Sequence, residues 1–204
     1  MNDQSSTHSF KTLTRYFQRV EAVDIPHTGK SYLAHGIGVY RDLKAWGWAE
    51  TAARAGLFHS IYGTEIFQGF TLPLSQRDEI RSMIGDHAEF LCYLNCTLKR
   101  HQFDIEVARG FGPYRIEDRF EGTLIELSDT VFLELCELHL CDWLEQVTGR
   151  RAEITVARAT SRLRCSWAVL DFRNTGLFST GRRNRSGLTV ISGLKTPTTD
   201  QHSQ

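Results

Sequence analysis

The sequence has few of the residues that cross-link or stiffen a chain. Its 204 residues include four prolines, two methionines and five cysteines, and no two cysteines form a Cys-x-x-Cys pair. An odd number of cysteines without that spacing argues against a disulfide framework and against a zinc ribbon. We therefore interpret the cysteines as reduced, mostly core residues, in a chain long enough to bury a core without cross-links.

Long hydrophobic runs are also missing. No stretch approaches the roughly 18 apolar residues of a membrane span. The first seven residues lack the basic segment that opens a secretory signal. We therefore expect a cytoplasmic protein that does not enter a membrane.

The sequence carries no net charge, because 24 basic residues balance 24 acidic ones. This balance argues against a protein steered to nucleic acid by its charge. The charges are unevenly divided: residues 1–146 hold 14 basic and 21 acidic residues, and residues 147–204 hold 10 basic and 3 acidic. Serine and threonine supply 15 of the last 58 residues. We predict one domain over residues 8–146 and a basic, partly disordered extension over 147–204 with dispersed aromatics unsuited to stacking on bases.

Apolar residues recur at helical spacing through most of residues 8–146, which predicts an all-α helical bundle. The predicted helices cover residues 8–22, 31–46, 49–62, 76–84, 86–98 and 130–146. Ser31 and Ser128 are suitable N-caps for the second and the last of them. Glycine and proline interrupt residues 102–127, which predicts a loop or a small hairpin outside the core.

Two histidines lie at matching distances from a predicted turn. His35 precedes Gly47 by 12 residues and His59 follows it by 12, which places each about 18 Å from the turn on antiparallel helices. Both share their helix face with apolar or small residues, so both should point inward. The arrangement indicates either a shared site or two separate hydrogen-bonded core histidines.

Asp142 lies on the apolar face of the last predicted helix, in register with Leu138 and Leu135. A buried carboxylate needs a cation or hydrogen-bond donors, because an unpaired buried charge costs several kcal/mol. A metal ion would satisfy it, and so would an arginine such as Arg54 or Arg41, or solvent at the end of the helix.

Three stretches carry a family resemblance: residues 27–35 (HTGKSYLAH), 55–60 (AGLFHS) and 79–91 (EIRSMIGDHAEFL). Together with Asp142 in a late Leu-Cys-Asp segment, they resemble the HD superfamily of metal-dependent phosphohydrolases over residues 10–146. The nearest branch is the hydrolase domain of stringent-response alarmone enzymes. The 55–65 block also resembles a set of uncharacterised HD-like domains that share a serine after the second histidine.

The resemblance implies an HD-like bundle in which His35, His59 and Asp142 bind metal. Ser60 departs from the pattern, since the superfamily has a ligating aspartate there. The acidic pair that follows in the alarmone enzymes is replaced by Gly63 and Thr64. The resemblance thus leaves two histidines and one carboxylate, a set that suits a single Mn(II), Fe(II) or Zn(II) ion with open coordination positions.

The remaining candidates would act on a bound small molecule. Glu65 and Glu89 are candidate general bases, although capping or pairing with an arginine is the simpler role for Glu65. His27 and Lys30 precede the first motif where alarmone hydrolases place basic residues near the nucleotide. Ser60 and Tyr62 offer neutral hydrogen-bonding groups in place of the missing acids.

Three functions follow from this set of residues. The first is a metal-dependent hydrolase of a phosphorylated or nucleotide-like small molecule. The second is a catalytically degenerate HD domain that binds a ligand or partner, and the third is an Fe(II)-dependent oxygenase. The sequence does not indicate an oligomeric state.

Overall fold

A computed structural model describes residues 8–27 and 29–146. The predicted extension over 147–204, with Cys165, lies outside the described residues. The fold is mostly α-helical, as predicted. The described residues form seven α-helices and two short antiparallel strand pairs in this order: α1 Phe10–Arg19, β1 Pro26–His27, β2 Lys30–Ser31, α2 Tyr32–Ala45, α3 Glu50–Phe58, α4 Arg77–Ile84, α5 Asp86–Thr97, α6 Arg100–Arg109, β3 Tyr114–Glu117, β4 Leu124–Leu127 and α7 Asp129–Gln146.

Local capping explains where several helices begin. The Ser31 side chain accepts a hydrogen bond from the backbone N–H of Ala34 at the start of α2, as its position predicted. The Ser128 side chain accepts a hydrogen bond from the backbone N–H of Val131 in the same way at the start of α7. A single 3₁₀ turn, Leu74–Gln76, leads into α4.

The antiparallel pair α2 and α3 is packed unusually closely. A methyl group built on Gly36 would lie 2.7 Å from the carbonyl oxygen of Leu57, and one on Gly56 would lie 3.0 Å from the backbone nitrogen of Tyr40. Only glycine allows the two backbones to approach this far. The small residues on the facing sides of α2 and α3 thus let the two helices approach closely.

Within the part of the chain that the structure describes, the core consists of two hydrophobic clusters that share helices α5 and α7. The larger one joins α1 to α5 with α7, and the smaller one joins α5, α6, the β3–β4 hairpin and α7. Cys92, Cys96, Cys136 and Cys141 are free thiols buried in these clusters, as predicted.

The segment 102–127 differs in part from its prediction. Its hairpin is present, but α6 precedes it, and Tyr114 and Ile116 are fully buried. The prediction that this segment lies outside the core was wrong. The alternating residues of β3 bury one face against α5, α6 and α7, a long-range contact that Gly110, Gly112 and Pro113 do not indicate.

Helix α3 is also shorter than predicted, since it ends at Phe58 with His59 as its C-cap. Among residues 8–27 and 29–146, no helix is long and apolar enough to cross a membrane.

Candidate metal centre

His35, His59 and Asp142 meet in the core of the bundle. His35 lies in the first turn of α2, His59 at the end of α3 and Asp142 in the last turns of α7. The side-chain atoms that could ligate a metal lie within 4.8 Å of one another, and all three residues are at least 96% buried. The level placement of the two histidines, inferred from their distances to Gly47, is confirmed.

The distances between the three atoms that could ligate a metal are short. Nε2 of His35 lies 3.2 Å from Nε2 of His59, and Oδ1 of Asp142 lies 3.0 Å from the first and 3.3 Å from the second. Two ligands bound about 2.1 Å from a tetrahedral zinc ion are about 3.4 Å apart, and octahedral neighbours are somewhat closer. The three atoms therefore already have the spacing that one divalent ion requires.

The opposite nitrogens of both rings have their own acceptors. Nδ1 of His59 lies 2.8 Å from the carbonyl oxygen of Gly56, and Nδ1 of His35 contacts the carboxylate of Glu145. A carbonyl oxygen and a carboxylate accept hydrogen bonds, so each Nδ1 carries the hydrogen and donates it. In the neutral rings, both Nε2 lone pairs then point toward Oδ1 of Asp142. This is the outer arrangement typical of metal-binding histidines.

The electrostatics of the cluster favour a bound cation. Burial alone lowers the pKa of His59 and raises that of Asp142. The attraction between the two groups reverses both effects: the pKa of Asp142 is held well below its usual value, and the pKa of His59 is raised. A proton and a metal ion therefore compete for the same three atoms.

A cavity of about 200 Å³ opens beside this cluster. Its walls combine polar and apolar side chains from five parts of the chain: Pro26, His27, His59, Ser60, Thr64, Ile66, Phe67, Arg100, Asp142 and Gln146. Two of the three cluster residues thus face a space that a small molecule could enter.

His27 lies in this cavity wall, as its candidate role in ligand binding requires. Its ring packs 4.5 Å from that of His35 and 4.3 Å from that of Phe67, measured between centroids. Its Nε2 atom is buried and has no hydrogen-bond partner among the described residues. Burial and the neighbouring imidazoles lower the pKa of His27 to about 4, which keeps its ring neutral at pH 7.

Lys30 is connected to the cluster indirectly. It forms a salt bridge with the Glu145 carboxylate that contacts His35, and it does not line the cavity. Gly38 leaves the space for this carboxylate, because a methyl group there would overlap the Glu145 side chain. The β1–β2 hairpin is thereby attached to α7.

Ser60 and Tyr62 occupy different surroundings. Ser60 lines the cavity and donates a hydrogen bond of 3.2 Å to the Tyr32 hydroxyl. Tyr62 lies in the core and donates to Glu89 at 2.9 Å, so it is not part of the cavity wall.

Neither candidate general base lines the cavity. Glu65 accepts the backbone N–H of Arg100 at 2.7 Å, a capping role at the start of α6. Glu89 is fully buried and accepts hydrogen bonds from Arg77, Arg81 and Tyr62. These contacts occupy both of its carboxylate oxygens, which favours a structural role over proton transfer.

Three residues beside the cluster were missed by the sequence reasoning. Glu145 lies three positions after Asp142 and thus on the same face of α7, a signal that was available. Gln146 donates to Oδ1 of Asp142 at 2.6 Å. Arg100 reaches the cavity through the packing of α6, which no local pattern indicates.

Part of the chain is similar to a known protein family. Residues 16–100 match a family model described as a domain of unknown function, DUF6817. This stretch covers less than half of the chain and contains His35 and His59 but not Asp142. No curated protein and no solved structure matches the chain.

Proposed function

We propose that this protein is a divalent-metal-dependent hydrolase of a phosphorylated or nucleotide-like small molecule. In this proposal His35, His59 and Asp142 hold one Mn(II), Fe(II) or Zn(II) ion. The observation that carries it is the convergence of two imidazole lone pairs and a carboxylate oxygen, all within 3.3 Å, at the wall of a cavity. Three such atoms repel one another unless a cation or a proton lies between them.

A core role for these histidines fits the contacts less well. With each Nδ1 donating outward, two neutral rings leave both Nε2 lone pairs beside Oδ1 of Asp142, so a core role requires a proton on one Nε2 at the position that a divalent ion would fill. Arg54, the alternative partner for Asp142, instead contacts Glu50 and the carbonyl oxygen of His8.

The residues around the ion would each have a defined task. A bound divalent ion supplies Lewis acidity, which polarises a phosphoryl oxygen and lowers the pKa of water. Glu145 fixes the ring orientation of His35 and increases its basicity, and the Gly56 carbonyl does the same for His59. Phe67 and Ile66 give one side of the cavity an apolar lining.

Membership in the HD superfamily is part of this proposal. It is supported by the order of the candidate ligands along the chain, on α2, at the end of α3 and on α7, within a helical bundle. A cytoplasmic location is also proposed, and the four buried free thiols are consistent with a reducing compartment.

Metal analysis of the purified chain tests the proposal. We expect about one divalent ion per chain after reconstitution, and its loss in His59→Ala and in the near-isosteric Asp142→Asn. His101→Ala, which changes an exposed histidine, is the matched control and should retain the metal. Wild-type protein that takes up neither Mn(II), Fe(II) nor Zn(II) would refute the proposal.

Assays of the loaded protein then separate the three functions. Release of phosphate from nucleotides, abolished in His35→Ala, supports the hydrolase. Metal binding without any turnover supports the degenerate binding domain. This hypothesis is favoured by Ser60, because the superfamily has an aspartate at that position. Oxygen consumption by the Fe(II) form supports the oxygenase.

The variant Ser60→Asp tests the resemblance itself. Ser60 lines the cavity next to His59, so a carboxylate there would be added beside the three ligands. We expect tighter metal binding or a second bound ion. Unchanged stoichiometry and affinity in a folded variant would argue against an HD-type site.

A further inference from the structure

Arg100 provides a positive charge in the wall of the cavity. It is the first residue of α6, and it lines the same space as His59 and Asp142. Its backbone N–H donates a hydrogen bond to the Glu65 carboxylate, while its guanidinium forms no salt bridge within residues 8–27 and 29–146. A partly buried arginine without a carboxylate partner is available for an anion from solution.

His27 provides a second polar group in the same space. It is 92% buried and lines the cavity, and its Nε2 atom has no hydrogen-bond partner in the described part of the chain. Leaving a buried polar atom unpaired is costly, so a ligand atom that reaches this nitrogen from the cavity side would gain a hydrogen bond.

The overall charge of this region also favours an anion. Lys30 and Arg100 offset two of the three carboxylates of Asp142, Glu145 and Glu65, so a divalent ion at the cluster leaves the neighbourhood positive by one charge. Such a site attracts and retains negatively charged groups more strongly than neutral ones.

The size of the cavity limits what it can hold. At about 200 Å³ it is smaller than the roughly 300–1,000 Å³ of sites that enclose a whole drug-sized ligand. A phosphoryl group with a short adjoining segment suits this volume. The rest of a larger molecule would extend past Ile66, whose side chain is 73% exposed at the cavity.

We propose that Arg100 and His27 form a subsite for the phosphoryl group of a phosphate monoester, with Arg100 as the residue that selects anionic substrates. This inference rests on the proposed metal site and assigns the substrate class to it. Arginine suits this task, because its planar guanidinium donates two parallel hydrogen bonds to a phosphate.

Binding of inorganic phosphate to the Mn(II)-loaded full chain tests the subsite. Phosphate affinity is measured through paramagnetic broadening of the ³¹P resonance and by calorimetry. We expect Arg100→Gln to weaken phosphate binding about tenfold or more, with unchanged metal content. Arg100→Lys should restore part of the affinity, and Arg41→Gln, which removes an exposed arginine of α2, should have no effect. Acetate, a carboxylate, should bind more weakly than phosphate.

The outcomes distinguish this inference from the proposed function. A chain that binds no metal refutes the proposed function and the subsite with it. A metal-loaded chain that binds no phosphate, or that binds it equally well in Arg100→Gln, refutes the subsite alone. Equal loss in Arg100→Gln and Arg41→Gln would indicate a general charge effect and would also refute it.

Discussion

The Nε2 atoms of His35 and His59 lie 3.2 Å apart because their two helices are almost in backbone contact. Gly36 follows the first histidine directly, and Gly56 precedes the second by three residues. The geometry of the candidate metal centre thus depends on the spacing between α2 and α3.

Gly56→Ala should separate these helices. The new methyl group would lie 2.8 Å from Leu43 Cδ1 and 3.0 Å from the backbone nitrogen of Tyr40, and the backbone cannot move aside locally. We expect a loss of about 1–3 kcal/mol in the free energy of unfolding, together with weaker metal binding. Urea unfolding and metal titration measure the two effects. Thr51→Ala, at an exposed position of the same helix, is the control. Wild-type metal affinity in Gly56→Ala would show that helix spacing does not determine the site.

Glu145→Gln should weaken metal binding without unfolding the protein. The substitution keeps the shape of the side chain but removes the negative charge that contacts His35 and Lys30. Removal of such an outer partner costs roughly 10- to 100-fold in metal affinity. Competition with a chelator measures the change. Glu134→Gln, on the same helix and paired with the half-exposed His87, is the control and should retain full affinity.

Glu89→Gln should reduce stability rather than chemistry. The buried carboxylate pairs with Arg77 at 2.7 Å and with Arg81 at 3.0 Å, so its neutralisation leaves two cations poorly compensated. We expect a loss of about 2–4 kcal/mol in the free energy of unfolding, with unchanged metal content. Asp78→Asn, which breaks an exposed pair with Arg81, should cost less than about 1 kcal/mol. A stable Glu89→Gln protein that has lost turnover would instead support the general-base prediction.

His139 should make the metal-free protein less stable in mild acid. Burial, with a contribution from the charge of Arg100, lowers its pKa to about 4, whereas the unfolded chain has a histidine pKa near 6.5. Between these values the unfolded state binds the proton more readily, so stability is lost as the pH falls from about 6.5 to about 4.

The comparison of His139→Gln with wild type isolates this contribution. The full pKa shift of His139 corresponds to about 3 kcal/mol in the free energy of unfolding. Partial exposure of the ring reduces this contribution to roughly 1–3 kcal/mol. Chelator-treated protein unfolded in urea at pH 7 and at pH 5 gives the measurement. The variant should lose less stability than wild type between the two pH values, and His101→Gln should behave like wild type. If the stability of His139→Gln depends on pH as that of the wild type does, protonation of His139 is not the cause of the loss in acid.

Much of the fold was predictable because its signals are local. The N-caps at Ser31 and Ser128 and the apolar spacing within each helix involve residues at most a few turns apart. The segment 102–127 was only partly predictable. Burial of Tyr114 and Ile116 depends on α5 and α7, and residues 114–117 alone do not reveal which neighbours will cover them.

The candidate site was likewise predictable only in part. The sequence by itself determined the level placement of His35 and His59, because a rise of about 1.5 Å per residue within α2 and α3 converts residue counts into distances. It also placed Asp142 on the buried face of its helix. Only the tertiary structure decided that Glu145 supports His35 and that Arg100 reaches the cavity. Residues more than 40 positions apart are brought together by helix packing, and their contacts depend on every core side chain between them.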